Sequence, residues 1–291
     1  CYCVPPQKST TMKTLKITLL FCLISVFSFA EVSQNQKTAL VDLYNTTNGD
    51  SWNHSWDLQE PISKWHGITL EGDNVVEINL SFNSLKGNLP ESISNLLHLR
   101  VLNLSFNKLE GELPKTLVNM TSLEEIQLFS NSFSGAIPLN IGALTNLKSL
   151  ELFNNDFFGE IPASIGNLIH LENLILSSNQ LMGKLPSSIS NLTSLKVLSV
   201  FDNNLLGTIP KSIGQLSQLE ELVLSNNAFY GNLPGVLVEL KSLKTLLLSN
   251  NQFKGNYAVL KEVLPNIVDF DLDEANLKGA LATLDDEEDD D

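Results

Sequence analysis

Few residues in this chain are arranged for bond-making chemistry. Glu125 and Glu151 come closest, because two carboxyl groups flanking a sugar bond can hydrolyse it when the site raises one pKa. An open surface gives neither group that shift. The histidines, His54, His66, His98 and His170, are not placed with those acids. Asp269, Asp271 and Asp273 alternate along one segment and offer the oxygen ligands that calcium takes. One strand supplies too few ligands alone, and acids in this pattern also protect a sheet edge from further pairing. The sequence contains no nucleophile motif, phosphate-cradling loop or metal spacing. The expectation is a chain that binds rather than catalyses, with no cofactor and no metal.

The elements that position these residues come from a repeat. Val75, Leu99, Leu123, Leu147, Leu171, Leu195, Leu219, Leu243 and Ile267 open units spaced 24 residues apart, without insertion. Their pattern is LxxLxLxxNxLxGxIPxxIxxLxx. LxxLxL reads as a short strand whose fourth and sixth residues point inward. Asn at position 9 (Asn83, Asn107, Asn131, Asn155, Asn179, Asn203, Asn227, Asn251) is suited to satisfy backbone groups as the strand turns. Gly at position 13 permits a tight turn, and Pro at position 16 fixes φ ahead of the back of the coil. Asn, Gly and Pro at fixed places exclude a helical solenoid or coiled coil.

This pattern resembles the leucine-rich repeat family, in its plant-type LxGxIP subclass, over Val75 to Leu284. The resemblance implies a curved or twisted leucine-rich repeat solenoid. A parallel β-sheet would line its concave face, short 3-10 or loop segments its convex face, and a helical cap its N-terminus. The expected organisation is an upstream stretch and signal peptide (1–30), a cap (31–74), nine repeats (75–284) and an acidic tail (285–291). In the cap, Ser33 can start a helix with Ala39, Leu40, Leu43 and Tyr44 on one face, and Asn48-Gly49 stops it. Trp52, Trp56 and Trp65 are expected to cover the open end of the core rather than form a sugar site. "SKWHGITL" resembles the CxWxGVxC cap of plant members, with Ser63 and Leu70 in place of the cysteines. The cysteine-free cap and "ALVDLYNTTNGDSW" are similar to secreted bacterial members.

The N-terminal region reads as an export signal. Lys13 and Lys16 precede the apolar run "ITLLFCLISVFSFA", and Ser28-Phe29-Ala30 is a small-x-small cleavage site. The run has 14 residues, too short to span a bilayer, which takes about 20. Residues 1–11 precede the natural start, Met12. Lys8, Lys13 and Lys16 are the charges of the presegment, so its removal takes the net charge from −15 to −18. All three cysteines, Cys1, Cys3 and Cys22, lie in it, so the mature chain has no disulfide. A surface this acidic argues against nucleic acid and anionic lipid as partners. The expected location is secreted or extracellular, or the periplasm or cell surface in a bacterium.

Positions 3, 5 and 7 of each repeat should face out from the strand. In the middle of the chain they place Phe129, Phe153, Phe201 and Ile175 together, with Val197. Glu125, Gln127, Glu151 and Ser199 lie among them, and Glu221 and Asp202 beside them. Exposed aromatics on a rigid face suggest a contact site. The plainer alternative is that the rings lie on their neighbours and stiffen the sheet. Like polygalacturonase-inhibiting proteins and receptor-like kinase ectodomains, which this chain resembles, it is expected to bind a protein or peptide. An extracellular polysaccharide is the alternative ligand. Sequons at Asn45, Asn53, Asn79, Asn103, Asn119 and Asn191 would carry glycans in a eukaryotic secretory route.

Overall fold

The computed structural model describes residues 1–3 and 32–273. The export signal, most of the upstream stretch, the end of the ninth repeat and the acidic tail lie outside the described residues. Among the described residues, no helix is long and apolar enough to cross a membrane.

From residue 32 onward the chain winds in coils. The LxxLxL segments pair side by side into a ten-stranded sheet, parallel except for the hairpin of Ile68–Glu71 with Asn74–Asn79 at its N-terminal edge. Neighbouring strands pair at equal repeat positions, as in Gln127 with Glu151 and Ile175 with Ser199. Equal repeat length forces this, since each coil places the same side chain at the same height. In the first eight repeats the position 4 and 6 residues, among them Ile126, Leu128, Leu150 and Leu152, are buried. At the back, six of the prolines stand immediately before short 3-10 helices, such as Ala163–Asn167 after Pro162.

One feature differs from the expectation of a turn at the LxG segment. These residues form a second sheet of eight strands, from Lys86–Asn88 to Gln252–Lys254. Position 11 of each strand points into the core, where Phe133, Phe157 and Phe229 are fully buried. Position 13 carries a left-handed glycine, with φ of 79° at Gly183 and 122° at Gly87. A side chain at Gly87 would also sit 2.2 Å from the carbonyl oxygen of Thr46, where the cap meets the first coil.

The buried asparagines hold the coils to one another. Asn155 accepts from the Phe133 amide at 2.9 Å through Oδ1, and its Nδ2 donates to the carbonyls of Leu128 and Leu152 at 3.1 and 3.0 Å. Asn131, Asn179, Asn203, Asn227 and Asn251 repeat this arrangement. Along one edge, position 2 alternates in sign. Lys148 pairs with Glu124, Lys196 with Glu172 and Lys244 with Glu220, while Arg100 pairs with Glu71. Such exposed pairs add little stability.

The N-terminal end is closed by the cap. Ser33 caps the helix Gln34–Thr46, which buries Ala39, Leu40, Leu43 and Tyr44. Trp52, Trp56 and Trp65 are buried against one another, with Trp56 and Trp65 stacked at 4.7 Å. Their indole N–H groups donate to the carbonyls of Thr47, His66 and Asp57, so they serve the cap. At the other end, repeat eight replaces its proline segment with a short helix, Leu260–Val263. Tyr257 fills the position that leucine or isoleucine takes elsewhere, and its hydroxyl accepts from the Leu233 amide at 2.9 Å. The three aspartates do not converge. Asp271 accepts from Ser249, Asp273 accepts from the backbone of Asn250, and Asp269–Asp271 is the last strand of the described sheet.

Asn155→Ala leaves a donor and carbonyls unpaired inside the core. It should lower the free energy of unfolding in urea by about 2–4 kcal/mol, whereas Gln218→Ala, on the exposed back, should change it by less than about 0.5 kcal/mol.

Candidate functional site

The outward face of the ten-stranded sheet carries the expected residues, in two groups. Phe129 and Phe153 stack face to face, 4.3 Å between centroids and 9° between planes. Beside them, Glu151 accepts from Ser149 Oγ at 2.9 Å and from Gln127 Nε2 at 3.3 Å. Glu125, Gln127, Ser149 and Glu151 line an open cleft of about 260 Å³ together with Lys148, Glu172 and Asn173. Ile175 lies in register between Glu151 and Ser199, and the Ser199 hydroxyl is 2.7 Å from that of Ser177. Phe201 does not join the Phe129–Phe153 pair. It stands two coils from Phe153, roughly 10 Å away by strand spacing, with Ser177 at the intervening position.

The aromatic run extends toward the N-terminus instead. Phe106 meets Phe129 edge-on at 5.1 Å, and Phe82 stacks on Phe106 at 4.0 Å and 16°. Four rings from four successive coils thus form one ladder. Phe129 and Phe153 are half-buried, while Phe82 and Phe106 are 63% and 43% exposed.

Phe82 and Phe106 occupy position 8, where the chain leaves the strand in the left-handed region, with φ of 54° and 53°. The same position holds Ser130, Asn154, Ser178, Asp202, Asn226 and Asn250 elsewhere, also at positive φ. Small polar side chains relieve that conformation by local hydrogen bonding, while a bulky aromatic is an outlier there. The signal was legible as two phenylalanines in a column otherwise made of Ser, Asn and Asp.

The ladder ends in a cleft. His54, His66, Gly67, Asn79, Ser81 and Phe82 line an open cleft of about 450 Å³. The two imidazoles lie 4.4 Å apart, tilted by 35°. The His54 backbone N–H donates to Asn83 Oδ1 at 2.7 Å, which ties this corner of the cap to the first coil. Desolvation by neighbouring cap atoms, and next the charge of His54, push the His66 imidazole below its ordinary value, although the residue is exposed at the surface. Among the described residues, no three histidine, cysteine or carboxylate side chains are grouped to hold a metal.

An uninterrupted stack of coils, capped at the N-terminus and displaying an open sheet face, defines a solenoid repeat protein. The chain belongs to the leucine-rich repeat family, in its plant type. A leucine-rich repeat region matches residues 159–265, and leucine-rich repeat models also match residues 73–133 and 146–168. The chain is 41% identical over 90 residues to a probable leucine-rich repeat receptor-like protein kinase of Arabidopsis thaliana, covering 30% of this chain and 9% of that protein. A pollen receptor kinase 3 structure is 32% identical with a TM-score of 0.56, covering 65% of this chain and 91% of that one. The plant peptide hormone receptor RGFR1, solved in complex with RGF2, is 33% identical with a TM-score of 0.66 over 68% of this chain. The chain spans 32% of that receptor chain, and under a tenth of the curated relative.

The lowered His66 value sets the sign of a pH effect. Protonation costs more in the folded chain than in the unfolded one, so this group's contribution, small because the residue is exposed, is present above about pH 6.5 and is lost as pH falls below that value through the lowered folded one. Glu91 and Glu220, held below the usual carboxylate range by hydrogen bonds from Thr116 and Lys244, act at lower pH. The melting temperature should therefore fall between pH 7.5 and pH 5.5, and by less in His54→Gln; an equal fall in both would contradict this assignment.

Proposed function

We propose that this chain is a non-catalytic, extracellular binding protein whose outward sheet face recognises a protein or peptide partner. The observation that carries this reading is the ladder of Phe82, Phe106, Phe129 and Phe153, bordered by Glu125, Gln127 and Glu151. Rings held on a rigid face lose little entropy when covered. The surface is a row rather than an enclosed pocket, which suits an extended chain crossing several coils. The acidic border favours a basic or neutral partner over an acidic one. The likeness to a plant peptide hormone receptor supports the same class of ligand. A polysaccharide is the second reading, favoured by the flanking acids and amides, which accept from hydroxyl groups while sugar C–H faces rest on the rings.

Panning a random peptide display library on the full chain, beside a panel of soluble and cell-wall polysaccharides, separates the two. The peptide reading expects enriched sequences that pair Lys or Arg with aromatic or aliphatic residues. Their affinity should fall at least about tenfold in a Phe129→Ala/Phe153→Ala variant that keeps its fold by circular dichroism. Polysaccharide binding lost in the variant, with no peptide enriched, would replace this reading with the second. Peptide binding undiminished in the variant would contradict the placement on this face.

A further inference from the structure

The second sheet has its own outward face, formed by positions 10, 12 and 14 of each repeat, while position 11 points into the core. Along position 12 the chain reads Lys86, Glu110, Ser134, Phe158, Met182, Leu206, Tyr230 and Lys254. Phe158, Met182, Leu206 and Tyr230 fall on four consecutive strands, and each is 42–50% exposed. They make an unbroken apolar stripe, roughly 14 Å long by strand spacing, on a surface whose other outward positions are mostly polar. Contiguous apolar rows of this kind mark contact surfaces. None of these residues belongs to the phenylalanine ladder, which lies on the other sheet.

We propose that this stripe is a self-association surface, on which two copies of this chain pair about a two-fold axis through Met182. The row is self-complementary when reversed. Setting one copy against another with the coil order inverted places Met182 on Met182, Phe158 on Leu206 and Tyr230 on Ser134. The same reversal puts Glu110 of each copy on Lys254 of the other, closing both ends with opposite charges. The alternative two-fold arrangement keeps the coil order and sets Glu110 on Glu110 and Lys254 on Lys254, which like-charge repulsion disfavours. In the adjoining row Lys184 meets its symmetry mate, and Glu160, which leans over Gly183 beside it, offsets that repulsion. A surface of this size supports a reversible dimer rather than an obligate one.

Sedimentation velocity of the full chain across the micromolar range tests the proposal. The parent should pass from monomer toward dimer as concentration rises. Met182→Glu, which puts a charge from each copy on the axis, should remain monomeric. Because Met182 is half exposed, its replacement should leave the circular dichroism spectrum unchanged. Glu110→Lys should weaken dimerisation at least about fivefold, and Glu110→Lys/Lys254→Glu should restore it. A parent that is monomeric throughout, a dimer that survives Met182→Glu, or a charge reversal that the double variant does not rescue would each overturn the proposal.

Discussion

The side-chain amide at position 9 is the constraint on which the solenoid rests. A coil that turns off its strand leaves carbonyls and an amide N–H facing the core, where no water can reach them. Each buried asparagine satisfies groups on two coils at once, as Asn155 does with Leu128, Leu152 and Phe133. The amide therefore fixes how one coil sits on the next, and with it the lateral position of every outward side chain. Aspartate could not replace it, since the ionised acid has no N–H to give the carbonyls. The leucine core supplies most of the favourable free energy, and a one-residue slip would turn its inward side chains to the other face. The amides add a second penalty, since a slip would also leave the backbone groups they bond unpaired inside the core.

That rigidity gives the outward residues their meaning. Side chains at positions 3, 5 and 7 stand on a lattice set by strand spacing, so neighbouring phenylalanines are brought into ring contact without any adjustment of backbone. Phe129 and Phe153 stack because they occupy the same position in successive coils. Phe82 and Phe106 reach the same row from position 8, at the cost of a backbone conformation that the other coils reserve for serine, asparagine and aspartate. The ladder thus combines two rings that the sheet accommodates freely with two that it holds under strain.

Much of this was legible in the sequence because the repeat is exact in length. The coil boundaries, the role of Asn155 and its counterparts, the Ser33 cap and the burial of the three tryptophans follow from periodicity and from the need to close an open core. The second sheet was not legible. Its strands are short, and each carries a left-handed glycine, a residue that argues against a strand when read alone; the pairing exists only because the coils stack. The apolar stripe from Phe158 to Tyr230 was hidden with it. On the first sheet, the alternation of the strands places Phe129 and Phe153 in contact, with Glu125, Gln127 and Glu151 lining one cleft beside them. Phe201 shares their repeat position, but Ser177 stands between it and Phe153. Phe82 and Phe106 do not follow from that alternation, because position 8 lies past the end of the strand, where inside–outside order no longer sorts residues.

The central claim is that the ladder exists for contact and not for the stability of the sheet. The direct measurement is the free energy of unfolding of Phe82→Asn and Phe106→Asn, residues that take up the side chain found at the same position in Asn154, Asn226 and Asn250. Relief of left-handed strain is worth about 1–3 kcal/mol and a lost ring stack about 0.5–1.5 kcal/mol. The account predicts variants that match the parent or exceed it in stability. A loss of about 2 kcal/mol or more for either variant would contradict it and make the ladder a structural brace.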